Sequence, residues 1–370
     1  LMMWPPGVMI VFTMGIFVVV QLIRDHLDEV PTAYLSFVTV LGFGVAGVLT
    51  LVYAKSFTLE ATGFSLLQPL VLFGLVLGIV ILFYLGRYLD TTAYDRGYYP
   101  IAVVTGIAAG FAIMAIAFPQ GIKLLQSLIV RIYSFGLLTA PSGLTVAEIQ
   151  PADLQDAWRA FGAVFYVAIV GALIMLVRVL RDNRPVELFV LLWSFTMFSA
   201  YFTMIRFGYY VAVNVAVLAG FGIWWTGRHL LNLDWDIDSL ADIEVYQIVG
   251  ILVILIAIVP GNVVAIETRQ PVWETADRFG GTDTAWHNEL SWMKANTPEP
   301  PLEFDNRYDP PADGDFDYPD GAYGVMSWWD YGHWITVTGE RIPNANPFQE
   351  GPRLASAYLL SESEERANLI

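Results

Sequence analysis

Residues Ser327 to Trp334, SWWDYGHW, place two adjacent indoles, a carboxylate, a phenol and an imidazole in one short run. A strand-like approach that meets a glycine turn would bring Trp328, Trp329 and Asp330 to one spot. There aromatic walls would exclude water and a single charged acceptor would remain, a pocket suited to a hydroxyl-bearing peptide side chain. The plain alternative is aromatic core packing around a turn. Two further features could contribute chemistry. Thr145-x-x-Glu148 stands 180 residues before Trp328; its spelling is also that of a helix capping box, although Pro151 would fall inside a helix that started there, where proline is poorly tolerated. Arg206, in Met204-Ile-Arg-Phe-Gly-Tyr-Tyr210, sits between two apolar runs. A cation at such a depth usually has a partner, and the alternative is a snorkelling anchor.

The elements that must position these residues are largely membrane spans. The chain is 56% apolar with a mean hydropathy of +0.56, and its apolar runs approach the ~20 residues needed to cross ~30 Å of hydrocarbon. Eight spans are expected, at roughly 6-23, 34-54, 64-86, 100-118, 161-177, 187-204, 207-226 and 247-266. The expected organisation is an α-helical polytopic membrane domain over 1-266, including a long external loop at 119-160, and the beginning of an extracytoplasmic mixed α/β domain over 267-370. Loops of that length are usually functional or disordered. This one reads as ordered, because Leu124, Leu125, Leu128, Ile129 and Ile132 share one face of a helix suited to the membrane surface. After a flexible break at Thr139 to Gly143, Pro151 is expected to open a short amphipathic stretch toward the next span. Arg24, Arg87, Arg96, Arg178, Arg181, Arg184 and Arg228 fall in loops that share one side, which the positive-inside tendency assigns to the cytoplasm. Glu148, Arg206 and the polar tail are then external.

The net charge is -16, and the tail from Glu267 carries nineteen acidic against seven basic residues, so it repels nucleic acid. With three lysines (Lys55, Lys123, Lys294) against sixteen arginines, an acid-rich, lysine-poor surface fits a high-salt environment that screens self-repulsion, and a halophilic source is expected. Zero cysteines remove disulfides, thiolate metal sites and cysteine nucleophiles together. Two D-x-D runs, from Asp234 and from Asp313, fail the calcium-loop pattern at its glycine and terminal glutamate positions. The four histidines are scattered without a zinc-binding spacing.

The WWDYG spelling of 328-332, continued by HWITVTGERIPNANPF from His333 to Phe348, resembles the signature of oligosaccharyltransferase catalytic subunits, and specifically the archaeal AglB type. Thr145-x-x-Glu148 matches that family's second motif, in its long external loop, and Arg206 matches an arginine that meets the lipid phosphate, a role guanidinium geometry suits. The resemblance implies transfer of a glycan from a dolichol phosphate or diphosphate to the Asn amide of Asn-x-Ser/Thr, by a multi-pass cell-membrane enzyme with an external active site that acts as a single subunit. It implies that Glu148 helps hold a divalent cation, Mn2+ or Mg2+, and bonds the acceptor amide. Trp328, Trp329 and Asp330 would grip the acceptor hydroxyl, and Arg206 would meet the donor. An amide nitrogen is a poor nucleophile because its lone pair is delocalised. Carboxylates must therefore engage its N-H bonds, while the cation would neutralise the departing phosphate. The family's aspartate motifs in early external loops and a second acceptor motif downstream have no counterpart here, so a central fragment, inactive alone, is expected. Another polyprenyl-phosphate-sugar glycosyltransferase and a lipid-linked sugar transporter remain alternatives.

Overall fold

A computed structural model of the chain describes residues 7–54, 59, 65–92, 94–117, 119–135, 150–232, 244–265, 270–271, 284–306, 308, 316–348 and 350–370. The chain packs as two compact units, Leu1–Val272 and Trp273–Ile370.

The first unit is a helical bundle. Its helices are α1 (Val8–Leu27), α2 (Ala33–Val52), α3 (Leu67–Asp90), α4 (Tyr98–Ala117), α5 (Pro119–Tyr133), α6 (Leu154–Phe161), α7 (Ala163–Arg181), α8 (Pro185–Thr203), α9 (Gly208–His229) and α10 (Val245–Val263). A two-residue antiparallel pair, β1 (Val264–Ala265) with β2 (Gln270–Pro271), follows α10. Among the described residues seven helices are long and apolar enough to cross a membrane: α1 to α4 and α7 to α9. The eighth expected span corresponds to α10, whose described apolar part, Val245–Leu255, is shorter. This is a multi-pass membrane protein.

Lipid tails are as apolar as leucine, so the bundle must be held by close packing and by polar links between helices. Both are present. α7 and α9 cross where Gly171 meets Gly222: a Cβ added to Gly171 would lie 2.0 Å from the Leu218 carbonyl oxygen, so the two backbones touch only because no side chain intervenes. Thr13 Oγ1 donates to Thr196 Oγ1 at 3.1 Å, tying α1 to α8, and Asn214 Nδ2 donates to Ser194 Oγ at 2.9 Å, tying α9 to α8. Tyr133 at the end of α5 is 3.1 Å from the same Thr196 hydroxyl, and its ring stacks on Phe195. The surface helix expected from Gly121 to Phe135 is therefore α5, fastened at its C-terminal end to a span.

One end of the bundle is closed by a polar network. Gln21 Nε2 and Asn183 Nδ2 both donate to Asp25 Oδ1, at 2.6 and 2.9 Å, and Arg24 Nη2 donates to the Asp182 carbonyl at 2.7 Å. Arg178 makes a bidentate pair with Glu187. Glu29 pairs with Arg96 at 2.8 Å. Three of the arginine-bearing loops thus share this end.

The second unit contains α11 (Thr284–Asn296), β3 (Gly324–Val325), α12 (Gly332–Val337), β4 (Ile342–Pro343), α13 (Pro352–Leu359) and α14 (Glu364–Ala367). β3 and β4 pair in parallel, Gly324 opposite Ile342 and Val325 opposite Pro343. Two-residue strands supply few ladder bonds, so other contacts must hold this unit. Chief among them is Arg341, 2% exposed. Its Nε donates to Thr297 Oγ1 at 2.8 Å, Nη1 to the Glu340 carbonyl at 2.7 Å, and Nη2 to the Lys294 and Thr297 carbonyls at 3.0 and 2.8 Å. The guanidinium therefore caps the carbonyl end of α11, where the helix dipole favours a cation.

Candidate functional site

Trp328 is extended, Trp329–Tyr331 form one 3-10 turn, and Gly332 opens α12. Gly332 is obligatory here, because a Cβ would lie 2.2 Å from the Ala345 carbonyl oxygen and 2.8 Å from the Asn346 Cα. The turn is thereby pressed against the 345–346 segment. Trp286 of α11 stacks on Tyr331, centroids 4.2 Å apart, and meets Trp334 edgewise at 6.0 Å. The motif is clamped on one flank by α11 and on the other by the segment after β4.

Within that clamp the three motif residues have different environments. The Trp328 and Trp329 rings stack on each other, centroids 3.9 Å apart and 25° from parallel. They form one continuous slab instead of two facing walls, so nothing enters between them. Trp329, 7% exposed, packs with Ala345, Ala355 and Met326. Trp328 is half-buried on the outer side of the slab. Asp330 is exposed, and its carboxylate makes no hydrogen bond or ion pair among the described residues. A carboxylate left free beside an aromatic slab can accept a hydrogen bond from a ligand whose apolar part lies on the indole.

Arg206 lies in the first unit, in the 3-10 turn Ile205–Phe207 between α8 and α9. It is at the opposite end of the bundle from Asp25 and Asn183, since α8 runs from one to the other. Its guanidinium is exposed, touches the Phe207 ring at 5.7 Å and has no acidic partner among the described residues. The adjacent Ile205 N-H donates to the Gln150 carbonyl at 2.9 Å, which pins the far end of the external loop beside Arg206. Thr145 and Glu148 lie outside the described residues. From Gln150 onward the chain is ordered by a different cap from the one Pro151 suggested. Asp153 is the N-cap of α6, accepting the Asp156 N-H at 2.8 Å while the Asp156 carboxylate accepts the Asp153 N-H at 3.0 Å. The bond from the Asp156 N-H holds the Asp153 carboxyl below its ordinary value.

Comparison with known proteins decides what this arrangement belongs to. A family model of the AglB core domain matches residues 283–370. The dolichyl-monophosphooligosaccharide–protein glycotransferase AglB of Haloferax volcanii is 30% identical over 99% of this chain and 42% of its own length. Dolichyl-phosphooligosaccharide-protein glycotransferase 3 of Archaeoglobus fulgidus is 28% identical over 91% of this chain and 41% of its own. The apo crystal structure of an Archaeoglobus fulgidus oligosaccharyltransferase superposes with a TM-score of 0.75 at 26% identity, covering 99% of this chain and 44% of that one. By sequence and fold, the chain matches the AglB-type oligosaccharyltransferases. It spans less than half the length of these relatives. The AglB-type match agrees with the archaeal, salt-adapted composition, one relative being from Haloferax volcanii.

A second crystal structure of the Archaeoglobus fulgidus oligosaccharyltransferase, at TM-score 0.67 and 25% identity, is a complex with Zn and sulfate. Among the described residues of this chain, however, no three His, Asp or Glu side chains converge to hold a metal. Those residues do not form a cation site by themselves.

Three contributors to the site were missed in sequence: Trp286, Arg341 and the Gln150–Ile205 bond. A lone arginine after a Gly-Glu turn reads as a surface charge, and Trp286 lies 45 positions before Tyr331. Neither carries a local signal.

Proposed function

We propose that this chain is the part of an oligosaccharyltransferase that recognises the acceptor polypeptide and the lipid-linked donor. The full-length protein would transfer a glycan from a dolichol phosphate or diphosphate to the Asn side chain of Asn-x-Ser/Thr. The observation that carries this reading is the exposed Asp330 carboxylate, unbonded among the described residues, beside the Trp328–Trp329 slab, on a turn fixed by Gly332 and Trp286. Asp330 accepts the Ser/Thr hydroxyl two residues after the acceptor Asn, and Trp328 covers the methyl or methylene beside it. A site built around such a hydrogen bond can reject a substrate that lacks the hydroxyl by up to ~10⁴–10⁵, because its own polar group stays unpaired.

In the first unit Arg206 meets the donor phosphate. Its exposure, and the lack of an acidic partner among the described residues, suit the planar fork to an oxyanion. Glu148 engages the acceptor amide and is this chain's one candidate ligand for a divalent cation, Mn2+ or Mg2+. Glu148 stands two residues before Gln150 in the sequence, and the Gln150 carbonyl is bonded beside Arg206. With the arginine-rich end of the bundle toward the cytoplasm, as the positive-inside tendency favours, Arg206 is external. One subunit suffices in this reading. The test is transfer from a lipid extract to a labelled Asn-x-Thr peptide by the full-length membrane protein, with and without divalent cation. Transfer that ignores replacement of Thr by Ala would overturn it.

A further inference from the structure

The arginine-rich end of the bundle also contains a cavity of about 550 Å3, enclosed by the ends of α1, α2, α3 and α4 and by their connections. It is remote from Arg206, which lies at the other end of α8. Its lining includes His26, Glu29, Thr32, Arg87, Asp90 and Arg96.

Independent observations give this cavity the character of an anion site. α2 is twenty residues long and begins at its mouth, and Thr32 makes no side-chain cap bond, so first-turn N-H groups and the positive end of the helix dipole are available there. Arg87 is exposed at the end of α3 and forms no hydrogen bond or ion pair among the described residues. His26 is 6% exposed, and its Nε2 is buried without a partner among the described residues. Two of the three carboxylates in the lining, Asp25 and Glu29, are already engaged. Asp25 receives Gln21 and Asn183, Asp90 faces His26 Nδ1 at 3.8 Å, and Glu29 holds Arg96 at 2.8 Å. Glu29 follows the C-cap of α1 and takes the left-handed conformation that closes the helix, with the Val30 N-H donating to the Asp25 carbonyl at 2.8 Å.

The position selects the form of the anion. The cavity lies at the ends of four membrane spans, and α2, α3 and α4 bury little of their own surface in the bundle. It therefore opens at headgroup depth, beside helix faces available to acyl or isoprenoid chains, with Phe83 and Leu89 forming the apolar part of its wall. Basic pockets between span ends on a cytoplasmic face are suited to anionic lipid headgroups.

We propose that this cavity binds the phosphate of an anionic membrane-lipid headgroup, gripped by Arg87, Arg96 and the first-turn N-H groups of α2. The site is separate from glycan transfer. The probe is phosphatidylglycerol, offered to the full-length protein in phosphatidylcholine nanodiscs and compared with phosphatidylcholine alone, with retained lipid counted by native mass spectrometry. The protein should retain phosphatidylglycerol preferentially. Arg87→Ala should lower that retention about fivefold, the factor equivalent to the ~1 kcal/mol expected of one basic residue near an anionic surface. Arg87→Lys should keep most of it, and Arg228→Ala, at the same end but outside the cavity, should change nothing. Undiminished retention in a monodisperse Arg87→Ala protein overturns the proposal. So does an equal loss in Arg228→Ala, which would mean diffuse surface charge. Complete displacement of the lipid by millimolar inorganic phosphate would overturn the lipid as its source.

Discussion

Replacing Asp330 by Ala separates recognition from folding, because this side chain has no structural partner among the described residues. Its carboxylate is exposed and unbonded among the described residues, so its loss should change stability by no more than about 0.5 kcal/mol. Its proposed bond to the acceptor hydroxyl is a hydrogen bond to a charged group, worth about 1.5–3 kcal/mol. At about 1.4 kcal/mol per factor of ten, Asp330→Ala should reduce the preference for an Asn-x-Thr over an Asn-x-Ala peptide by roughly 10- to 150-fold. The affinity for the Ala peptide should stay near its original value. The assay is fluorescence-detected binding of both peptides to full-length protein, with unfolding measured on the same sample. Trp329→Ala is the contrasting variant. Trp329 is packed against Ala345 and Ala355, so its truncation should cost about 3–5 kcal/mol and weaken both peptides through poor folding. An unchanged Thr-over-Ala ratio in stable Asp330→Ala protein would refute the assignment of the hydroxyl acceptor.

Arg206→Ala should raise the apparent donor requirement and leave peptide affinity unchanged, with Arg206→Lys intermediate because it keeps the charge and loses the fork; an unchanged donor titration would leave Arg206 as a membrane anchor. Glu148→Gln should nearly abolish transfer while the protein still folds, whereas wild-type turnover would restore the reading of Thr145-x-x-Glu148 as a helix cap. Gly171→Ala should destabilise the bundle by at least ~1–3 kcal/mol, because its Cβ would meet the Leu218 carbonyl; unaltered thermal unfolding would contradict the close α7–α9 crossing. The lowered Asp153 carboxyl stabilises α6 fully above its ordinary value of 3.8, and that contribution is lost as pH falls through the lowered value. The protection factor of the Asp156 amide, its exchange rate referred to the intrinsic rate at the same pH, should therefore fall only in acid and stay constant between pH 5 and 8.

The membrane part was legible because its signal is cumulative. Each span needs about twenty apolar residues, and α2, α3 and α4 begin and end within a few positions of the expected runs. What the sequence could not convey is what each apolar run touches. Gly171 and Gly222 look like ordinary small residues in hydrophobic runs, and only their juxtaposition makes them indispensable. At α6 the expectation centred on Pro151, while Asp153 and Asp156 close the cap just beyond it; Asp in place of Glu or Gln at the third helical position obscured the usual spelling. In the candidate site, the residue types at 328–330 were readable from their spelling, but their division of labour was not. Burial of Trp329 and freedom of Asp330 follow from the turn, and the turn follows from Gly332 meeting Ala345 and Asn346.

That division of labour explains why a buried arginine belongs in the second unit. A recognition carboxylate must be held within a fraction of an ångström to discriminate a hydroxyl, and loops alone rarely provide such precision. Here the neighbouring strands are two residues long and the motif itself is a single 3-10 turn. Rigidity has to come from α11, which reaches the motif through Trp286 against Tyr331. α11 in turn is fixed at its carbonyl end by Arg341, which donates to three backbone carbonyls of 293–297. An apolar residue at 341 could fill the space but would take a donor from the Lys294 and Thr297 carbonyls, at about 1–3 kcal/mol each where buried, whereas the Met293 carbonyl would keep the Thr297 N-H and hydroxyl. A lysine would satisfy fewer of them, since its ammonium cannot span the same fork. The guanidinium thus converts the end of one helix into a support for the turn that presents Asp330.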